Sequence, residues 1–188
     1  QDLASIEAGA LDLDIAEIDV RDLISSSIDG IRDRAARAHI TIDVGITDEF
    51  TAFEGDYHRM RQVLFTLASD AIGFSPPQST VYLSAWTDDG DAVFEVIDQG
   101  KGIPEDEQDS IFDRYVTQPR GAKHRGAGLG LSIVRSLVEL HGGTVELASK
   151  PNEGTAGTVR VPRVAREPEQ IAAPQADTAR DTRNKAAS

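Results

Sequence analysis

Two strand-like runs joined by a short acidic turn constrain the fold of this chain more than any other feature. Residues 81–86 and 92–97 are rich in apolar and aromatic side chains, and Asp88-Asp89-Gly90-Asp91 lies between them. An Asp-Gly pair between two such runs is a strong signal for a β-hairpin. The chain therefore has an antiparallel hairpin near its middle, and the other segments must extend or cover the sheet that it starts.

Helical and strand patterns alternate on either side of this hairpin. Apolar residues at helical spacing, with Asp19 and Asp56 as N-caps of the first two segments, predict helices over about 20–38, 56–72, 104–111 and 129–141. Alternating apolar residues predict strands over 40–46, 51–54, 144–148 and 158–161; the first two could pair with each other, and the last two form a closing hairpin. This order predicts an α+β fold, a two-layer α/β sandwich whose mixed sheet is covered by helices on one face.

Composition excludes several classes of function. The 188 residues include 32 Asp and Glu against 19 Lys and Arg, a net charge of −13. Because nucleic acid and anionic membranes are polyanions, neither is expected as a partner. The absence of Cys excludes disulfides, thiolate metal sites and Cys nucleophiles. The sequence shows no apolar run that could span a bilayer and no leader peptide, so no direct membrane contact is expected of this segment.

The hairpin's second strand runs directly into Asp98-Gln99-Gly100-Lys101-Gly102-Ile103. A carboxylate at a strand end can accept a hydrogen bond from an exocyclic amine, and the glycines after it let backbone approach a flat ring closely. An ordinary glycine turn with a surface aspartate explains the same residues, so this segment alone is a weak signal for a nucleotide base.

A second glycine-rich segment, Gly126-Ala127-Gly128-Leu129-Gly130-Leu131, opens a predicted helix. Backbone N–H groups and the positive end of the helix dipole at such a place bind phosphates. The segment is neither a Rossmann fingerprint, because no strand directly precedes it, nor a P-loop, because it lacks the Lys. A flexible hinge is the alternative interpretation of these glycines. Residues 114–125 before it carry five basic side chains, counting His, and no acid, which would tolerate a polyphosphate.

The second predicted helix carries a polar stripe. Arg59, Thr66, Asp70 and Gly73 fall within about 60° of one another at 100° per residue. A carboxylate with a hydroxyl one turn before it could ligate Mg²⁺. A solvated helix face is the competing interpretation.

These segments, in this order, resemble the catalytic ATP-binding domain of sensor histidine kinases, which has the Bergerat fold shared with gyrase, Hsp90-type chaperones and mismatch-repair ATPases. The resemblance covers residues 1–162: 1–13 resemble the end of the second dimerisation helix with a linker, and 14–162 resemble the catalytic domain. Residues 163–188 are expected to be a disordered tail. The matching motifs are the first glycine box at 98–103, an aromatic box at Phe112 and Tyr115, the second glycine box at 126–131, the start of the asparagine-box helix at Asp56 to Leu64, the helix end His141-Gly142-Gly143, and the closing hairpin at Gly157-Thr158 and Val161-Pro162.

The resemblance implies roles for individual residues. Asp98 would bind the adenine amine, and residues 113–128 would form a lid over the phosphates. The implied ATP-binding residues are Asp98, Gly100, Gly102, Ile103, Tyr115, Gly126, Gly128, Leu129, Gly130 and Thr158. Asp70 and Thr66 would hold Mg²⁺. No catalytic residue is assigned within the segment, since none of its four His residues has the context of a phosphoacceptor.

The departures from the family pattern all fall on the asparagine-box helix. The family usually has Asn where this chain has Thr66 and Asp70, and Lys or Arg where it has Gly73. Asp70 could still ligate Mg²⁺, but it adds negative charge near three phosphates. Weakened nucleotide binding or slow phosphoryl transfer is therefore an open alternative.

The resemblance implies an ATP-binding domain that positions ATP and Mg²⁺ for phosphoryl transfer to a His on a separate dimerisation domain. The alternative is a pseudokinase, a DivL-like atypical kinase that docks a response regulator or another kinase as a scaffold. A gyrase- or chaperone-type ATPase fits less well, because Thr66 stands where those enzymes use a catalytic Glu. The implied partners are the protein's own dimerisation domain, in a homodimer, and a response regulator or partner kinase. The implied location is cytoplasmic, with an inner-membrane anchor elsewhere in the intact protein as a further expectation.

Overall fold

A computed structural model describes residues 12–108 and 127–165, without the side chains of 127–129. Its strands are β1 (Ile15–Asp19), β2 (Thr41–Ile46), β3 (Ala52–Asp56), β4 (Thr80–Asp88), β5 (Asp91–Asp98), β6 (Thr144–Ser149) and β7 (Thr155–Pro162). Its helices are α1 (Val20–Asp29), α2 (Arg32–Arg37), α3 (Tyr57–Phe74), α4 (Glu105–Gln108) and α5 (Ala127–Leu140). None of the helices in these two described ranges is long and apolar enough to cross a membrane.

The predicted central hairpin is confirmed. Asp88 pairs with Asp91, so a two-residue loop connects β4 to β5. Asp89 and Gly90 both have positive φ, at 47° and 82°, which is the type I′ geometry that Asp-Gly favours. β5 then pairs with β7 on its other side, so the strand that ends at Asp98 lies in the centre of the sheet.

The main sheet is mixed and five-stranded, in the order β2-β4-β5-β7-β6. β2 runs parallel to β4, and the other neighbours are antiparallel. The core lies between this sheet and helices α1, α3 and α5. Val81 and Leu83 of β4 point into it and are fully buried, whereas Tyr82 between them is 39% exposed on the opposite face. This arrangement is the predicted two-layer α+β sandwich.

Both predicted helix caps are present. The Asp19 carboxylate accepts a hydrogen bond from the backbone N–H of Asp22 at 2.8 Å. The Asp56 carboxylate accepts one from the N–H of Arg59 at 3.1 Å. Each bond satisfies an N–H group that the first turn of a helix leaves without an intrahelical partner. The cap on α3 fixes the start of the helix that carries the polar stripe.

The predicted pairing of the strand near 51–54 with the strand at 40–46 is wrong. β3 pairs instead with β1, a strand that the sequence pattern did not indicate, in a separate two-stranded sheet. The physical reason is burial: Phe53 pairs with Ile18, and both side chains are almost fully buried. The Phe53 ring also packs 5.4 Å from the Phe94 ring of the main sheet, so this pairing extends the core.

The helix predicted over 20–38 is interrupted at Gly30. α1 ends at Asp29 and α2 begins at Arg32. A Cβ at Gly30 would lie 3.2 Å from Cε2 of Phe65, so the break brings the backbone against that ring. The helices predicted over 56–72 and 129–141 and the closing hairpin form where they were predicted, with bounds that differ by a few residues. The helix predicted over 104–111 is present from Glu105 to Gln108, and residues 109–111 lie outside the described residues.

The domain also continues beyond the predicted boundary at 162. The N–H of Glu54 in β3 donates to the carbonyl of Arg163 at 2.9 Å. The N–H of Ala165 donates to the Glu54 carboxylate at 2.8 Å. Residues 163–165 therefore lie along the free side of β3, and the rest of the predicted tail, like residues 1–11, lies outside the described residues.

Candidate functional site

A cleft opens between α3, α5 and the ends of the central strands. It brings together segments that are far apart in the sequence: the end of β5, the glycine segment after it, the polar side of α3 and the start of α5. The lining residues are Leu67, Asp70, Ala71, Phe74, Val96, Asp98, Gly102, Ile103, Leu131, Leu147, Thr155 and Gly157. Most of the walls are apolar, with a few polar groups, as is typical of small-molecule sites.

Asp98 lies at one end of the cleft with its side chain only 7% exposed. Its Oδ1 accepts hydrogen bonds from the backbone N–H of Gly100 at 2.9 Å and of Thr155 at 3.2 Å. Burial raises the pKa of Asp98, and these two hydrogen bonds partly oppose that shift. Since both bonds end on Oδ1, Oδ2 is the atom through which Asp98 can accept a hydrogen bond from a ligand in the cleft.

The backbone around Asp98 approaches other backbone too closely for a side chain. Gly102 has a φ of +70°, and a Cβ there would overlap the carbonyl of Lys150. A Cβ at Gly100 would overlap the carbonyl of Phe74 at the end of α3. Because both positions exclude any larger residue, the loop after β5 is held against α3 on one side and against the β6–β7 turn on the other.

Thr66, Asp70 and Gly130 meet at the other end of the cleft. A Cβ at Gly130 would lie 2.9 Å from Cγ2 of Thr66 and 3.9 Å from Oδ2 of Asp70. The first turn of α5, which begins at Ala127, is therefore in contact with the polar stripe of α3. A helix N-terminus has N–H groups and a positive dipole end that favour anions.

The donor set at this end fits Mg²⁺. Asp70 and Thr66 supply a carboxylate and a hydroxyl one helical turn apart, and Mg²⁺ prefers such hard oxygen ligands. Within the described ranges no cluster of three or more His, Asp or Glu residues could hold a metal ion by itself.

Comparison with known proteins assigns the fold and the site to a family. The family described as "Histidine kinase-, DNA gyrase B-, and HSP90-like ATPase" matches residues 55–165, which span α3, the cleft and the closing hairpin. The chain belongs to this ATPase family. The relatives and solved structures described below are histidine kinases and a sensor protein, and the chain is an ATP-binding domain of the sensor histidine kinase type.

Two relatives illustrate the likeness in sequence. The chain is 34% identical over 165 residues to the circadian input-output histidine kinase CikA of Synechococcus elongatus. The aligned region covers 86% of this chain and 22% of CikA. It is 38% identical over 161 residues to the sensor protein DivL of Caulobacter vibrioides, and the aligned region covers 86% of this chain and 20% of DivL. The chain therefore spans about a fifth of the length of these relatives.

Solved structures show the same likeness in the fold. Full-length ShkA in complex with AMPPNP is 28% identical, with a TM-score of 0.76 over 88% of this chain and 34% of ShkA. The catalytic domain of histidine kinase ThkA, at 22% identity, has a TM-score of 0.71 over 82% of this chain and 100% of that domain. The second comparison supports the fold alone.

The structure gathers most, but not all, of the ATPase-family residues that the sequence predicted. Asp98, Gly102, Ile103 and Asp70 line the cleft. Gly100 packs beside Asp98, and Thr66 and Gly130 pack beside Asp70. Gly128 and Leu129 lie in the first turn of α5, while Tyr115 and Gly126 lie outside the described residues.

Thr158 is not brought into the cleft. Its hydroxyl donates to the Glu95 carboxylate at 3.1 Å on the face of the sheet away from the helices. Alternation along β7 instead places Thr155 and Gly157 in the cleft, and the sequence analysis missed both. The signal was available, because the buried Val159 has the same parity as Thr155 and Gly157 and identifies the helix-facing side of the strand.

Proposed function

We propose that this ATPase-family domain binds ATP with Mg²⁺ and positions the terminal phosphate for transfer to a His on a dimerisation domain of the intact protein. The observation that carries the proposal is the arrangement of one cleft. A buried carboxylate that can accept an amine N–H lies at one end, and a helix N-terminus beside the oxygen donors Asp70 and Thr66 lies at the other.

Each end of the cleft has a distinct role in this proposal. Asp98 would accept a hydrogen bond from the adenine amine through Oδ2, while Ile103 and Leu131 supply apolar walls for the base. The N–H groups in the first turn of α5 would donate to the phosphates. Bound Mg²⁺, held by Asp70 and Thr66, would neutralise phosphate charge. The cleft residues bind and orient the nucleotide, whereas the acceptor His would come from another domain.

The partners and the location follow as proposals from the likeness to sensor kinases. The intact protein would form a homodimer through its dimerisation domain, pass phosphate to a response regulator, and keep this domain in the cytoplasm. An anchor in the inner membrane, if the intact protein has one, would lie in another segment.

A scaffold role is a second candidate, and the α3 stripe supports it. Thr66, Asp70 and Gly73 replace the two amides and the cation that the family usually has. A domain with this stripe could retain nucleotide as a structural ligand and dock a response regulator or a partner kinase without transferring phosphate.

The proposal is tested by calorimetric titration of the chain with AMPPNP and Mg²⁺, comparing wild type with Asp98→Asn. The asparagine keeps Oδ1 as the acceptor for Gly100 and Thr155, but it replaces the Oδ2 acceptor with an N–H₂ donor that faces the adenine amine. A hydrogen bond to a charged group is worth about 1.5–3 kcal/mol, so affinity should fall about 10- to 100-fold. Asp91→Asn, at the opposite end of β5, is the matched control and should bind like wild type. Equal affinity in all three proteins would contradict the proposed role of the cleft.

A further inference from the structure

Gly157 lies in the wall of the cleft, in the middle of a central strand. It belongs to β7 and pairs with Val96 of β5 on one side and with Leu147 of β6 on the other. Its φ is outside the positive range that favours glycine. A glycine inside a strand weakens the strand, and it often marks a bulge, a bend, or a place where another backbone or a ligand approaches closely.

The surroundings of Gly157 exclude a bulge and a close backbone. The pairing of β7 with both neighbours continues through Gly157 without an extra residue. A Cβ at Gly102 or Gly154 would overlap a backbone carbonyl, whereas a Cβ at Gly157 would lie 3.4 Å from Cδ2 of Leu147 and 3.5 Å from Cδ2 of Leu67. These are ordinary contacts with flexible side chains, so a close approach by a ligand is the explanation that remains.

The register of the sheet fixes the position of Gly157 relative to Asp98. Asp98 pairs with Thr155, and Gly157 lies on the same face of β7, about 7 Å further along the strand. The next residue on that face is the fully buried Val159. The missing side chain therefore leaves an apolar notch on the core side of Asp98. The notch is lined by Leu67, Val96, Leu147 and Gly157.

We propose that this notch is a subsite for an apolar substituent on the nucleotide base, so that the cleft accepts adenine nucleotides alkylated on the exocyclic amine. The inference rests on the proposed function, in which the adenine amine donates to Oδ2 of Asp98. The amine is then the part of the base nearest to the notch. An alkylated amine keeps one N–H for Asp98, and its alkyl group extends past the carboxylate towards Gly157. Gly157 is thus a residue that determines base specificity.

The apolar character of the notch sets the size of the effect. Moving one CH₂ or CH₃ group from water into an apolar site changes affinity about fourfold. Two such groups, as in an ethyl substituent, change it about 15-fold when fully buried. A side chain at residue 157 that fills the notch removes this gain and collides with the substituent, so selectivity should change by at least about tenfold.

The experiment measures binding of ADP and of N6-ethyl-ADP by calorimetry in the presence of Mg²⁺. The quantity compared is the ratio of the two dissociation constants. Wild type is compared with Gly157→Ala and Gly157→Val, and the smaller variant keeps the test valid if the larger side chain prevents folding. Ala156→Val is the matched control, because it adds apolar volume at the adjacent position of β7, where the side chain lies on the opposite face of the sheet.

Thermal melts provide a second readout. The methyl group of Gly157→Ala makes ordinary contacts, and alanine loses less conformational freedom on folding than glycine. We therefore expect this variant to be at least as stable as wild type. A lower melting temperature would mean that packing requires the glycine, and the notch would then not be a subsite.

In the titrations, wild type and Ala156→Val should bind N6-ethyl-ADP at least as tightly as ADP. The ratio should shift towards ADP by at least about tenfold in Gly157→Val and by less in Gly157→Ala. An unchanged ratio in both Gly157 variants, or weaker binding of N6-ethyl-ADP than of ADP by wild type, would overturn the inference while leaving the proposed function intact. An equal loss of affinity for both nucleotides would also overturn it, since the unsubstituted base would then occupy the notch. If none of the proteins binds either nucleotide, the proposed function fails, and this inference fails with it.

Discussion

The side chain of His141 connects the end of α5 to the start of α3. Its Nδ1 lies 2.7 Å from the carbonyl oxygen of Leu137, and its Nε2 lies 3.1 Å from the backbone nitrogen of Asp56. A carbonyl only accepts and an amide N–H only donates, so the ring must be neutral with its proton on Nδ1. Burial lowers the pKa of His141, against smaller opposing effects of the Leu137 carbonyl and the Asp56 carboxylate.

This geometry makes the stability of the domain depend on pH. A second proton on Nε2 would face the Asp56 N–H and remove that hydrogen bond. Because the pKa of His141 is below its ordinary value of 6.5 in the folded state, the unfolded chain binds more protons between the two pKa values. The free energy of unfolding therefore rises with pH across that window and falls as the solution is acidified below about 6.5.

The perturbation that isolates this effect is His141→Phe, which keeps a ring but removes the acceptor. Asp56 is only 6% exposed, so its N–H would be left buried and unsatisfied, at a cost of about 1–3 kcal/mol at neutral pH. For a domain of this size, the midpoint of thermal unfolding should fall by about 3–10 °C.

The assay is urea unfolding of wild type, His141→Phe and His58→Phe between pH 5.5 and 8. His58 is exposed on the first turn of α3, so its variant controls for adding a Phe and losing a His. We expect the control to keep the wild-type slope of unfolding free energy against pH, and His141→Phe to lose part of it. The reasoning is refuted if His141→Phe is as stable as the control at pH 8, or if its slope equals that of wild type.

Two further substitutions test contacts on either side of the sheet. Gly130→Ala would place a methyl group 2.9 Å from Cγ2 of Thr66 and push α5 away from α3, so AMPPNP affinity should fall about tenfold. Adding Thr66→Ser removes the opposing methyl group and should recover most of the lost affinity. If affinity does not recover, the two methyl groups do not collide. Thr158→Val removes only the hydrogen bond to Glu95 on the face away from the helices, so AMPPNP affinity measured by the same titration should not change, and a loss would return Thr158 to the nucleotide site.

Local patterns predicted most of the helices and the main sheet, but neither the break at Gly30 nor the smaller sheet. The turn at Asp89-Gly90 and the caps at Asp19 and Asp56 are local signals, since each depends on residues a few positions apart, and the structure confirms them. The pairing of β1 with β3 brings together residues more than thirty positions apart. Nothing in the alternation at 51–54 says which distant strand is the partner, and β1 itself has one buried residue, Ile18, among its five.

The same distinction explains the outcome at the cleft. Asp98 and the glycines after it were recognisable because a strand end followed by Gly-x-Gly is a local pattern. Thr158 was named only through the closing-hairpin motif of the family resemblance, and its side chain lies on the face opposite Thr155 and Gly157, because successive side chains along a strand point to opposite sides. The closeness of Thr66 and Asp70 to Gly130 depends on how α3 packs against α5, so the sequence could indicate a shared site only through the family resemblance.

The two ends of the cleft are built from different kinds of structure, and they differ in how strongly a substitution would disturb the fold. The end at Asp98 is fixed by backbone: two N–H groups hold its carboxylate, and Gly102 leaves no room for a side chain. The end at Thr66 and Asp70 depends on side chains along one face of α3, whose opposite face has the buried residues that form the core, such as Met60 and Leu64. Substitutions on the polar face are therefore expected to alter ligand binding at the cleft, while the helix keeps its packing. For this reason we expect changes at Asp70 to affect the metal dependence of binding far more than the stability of the domain.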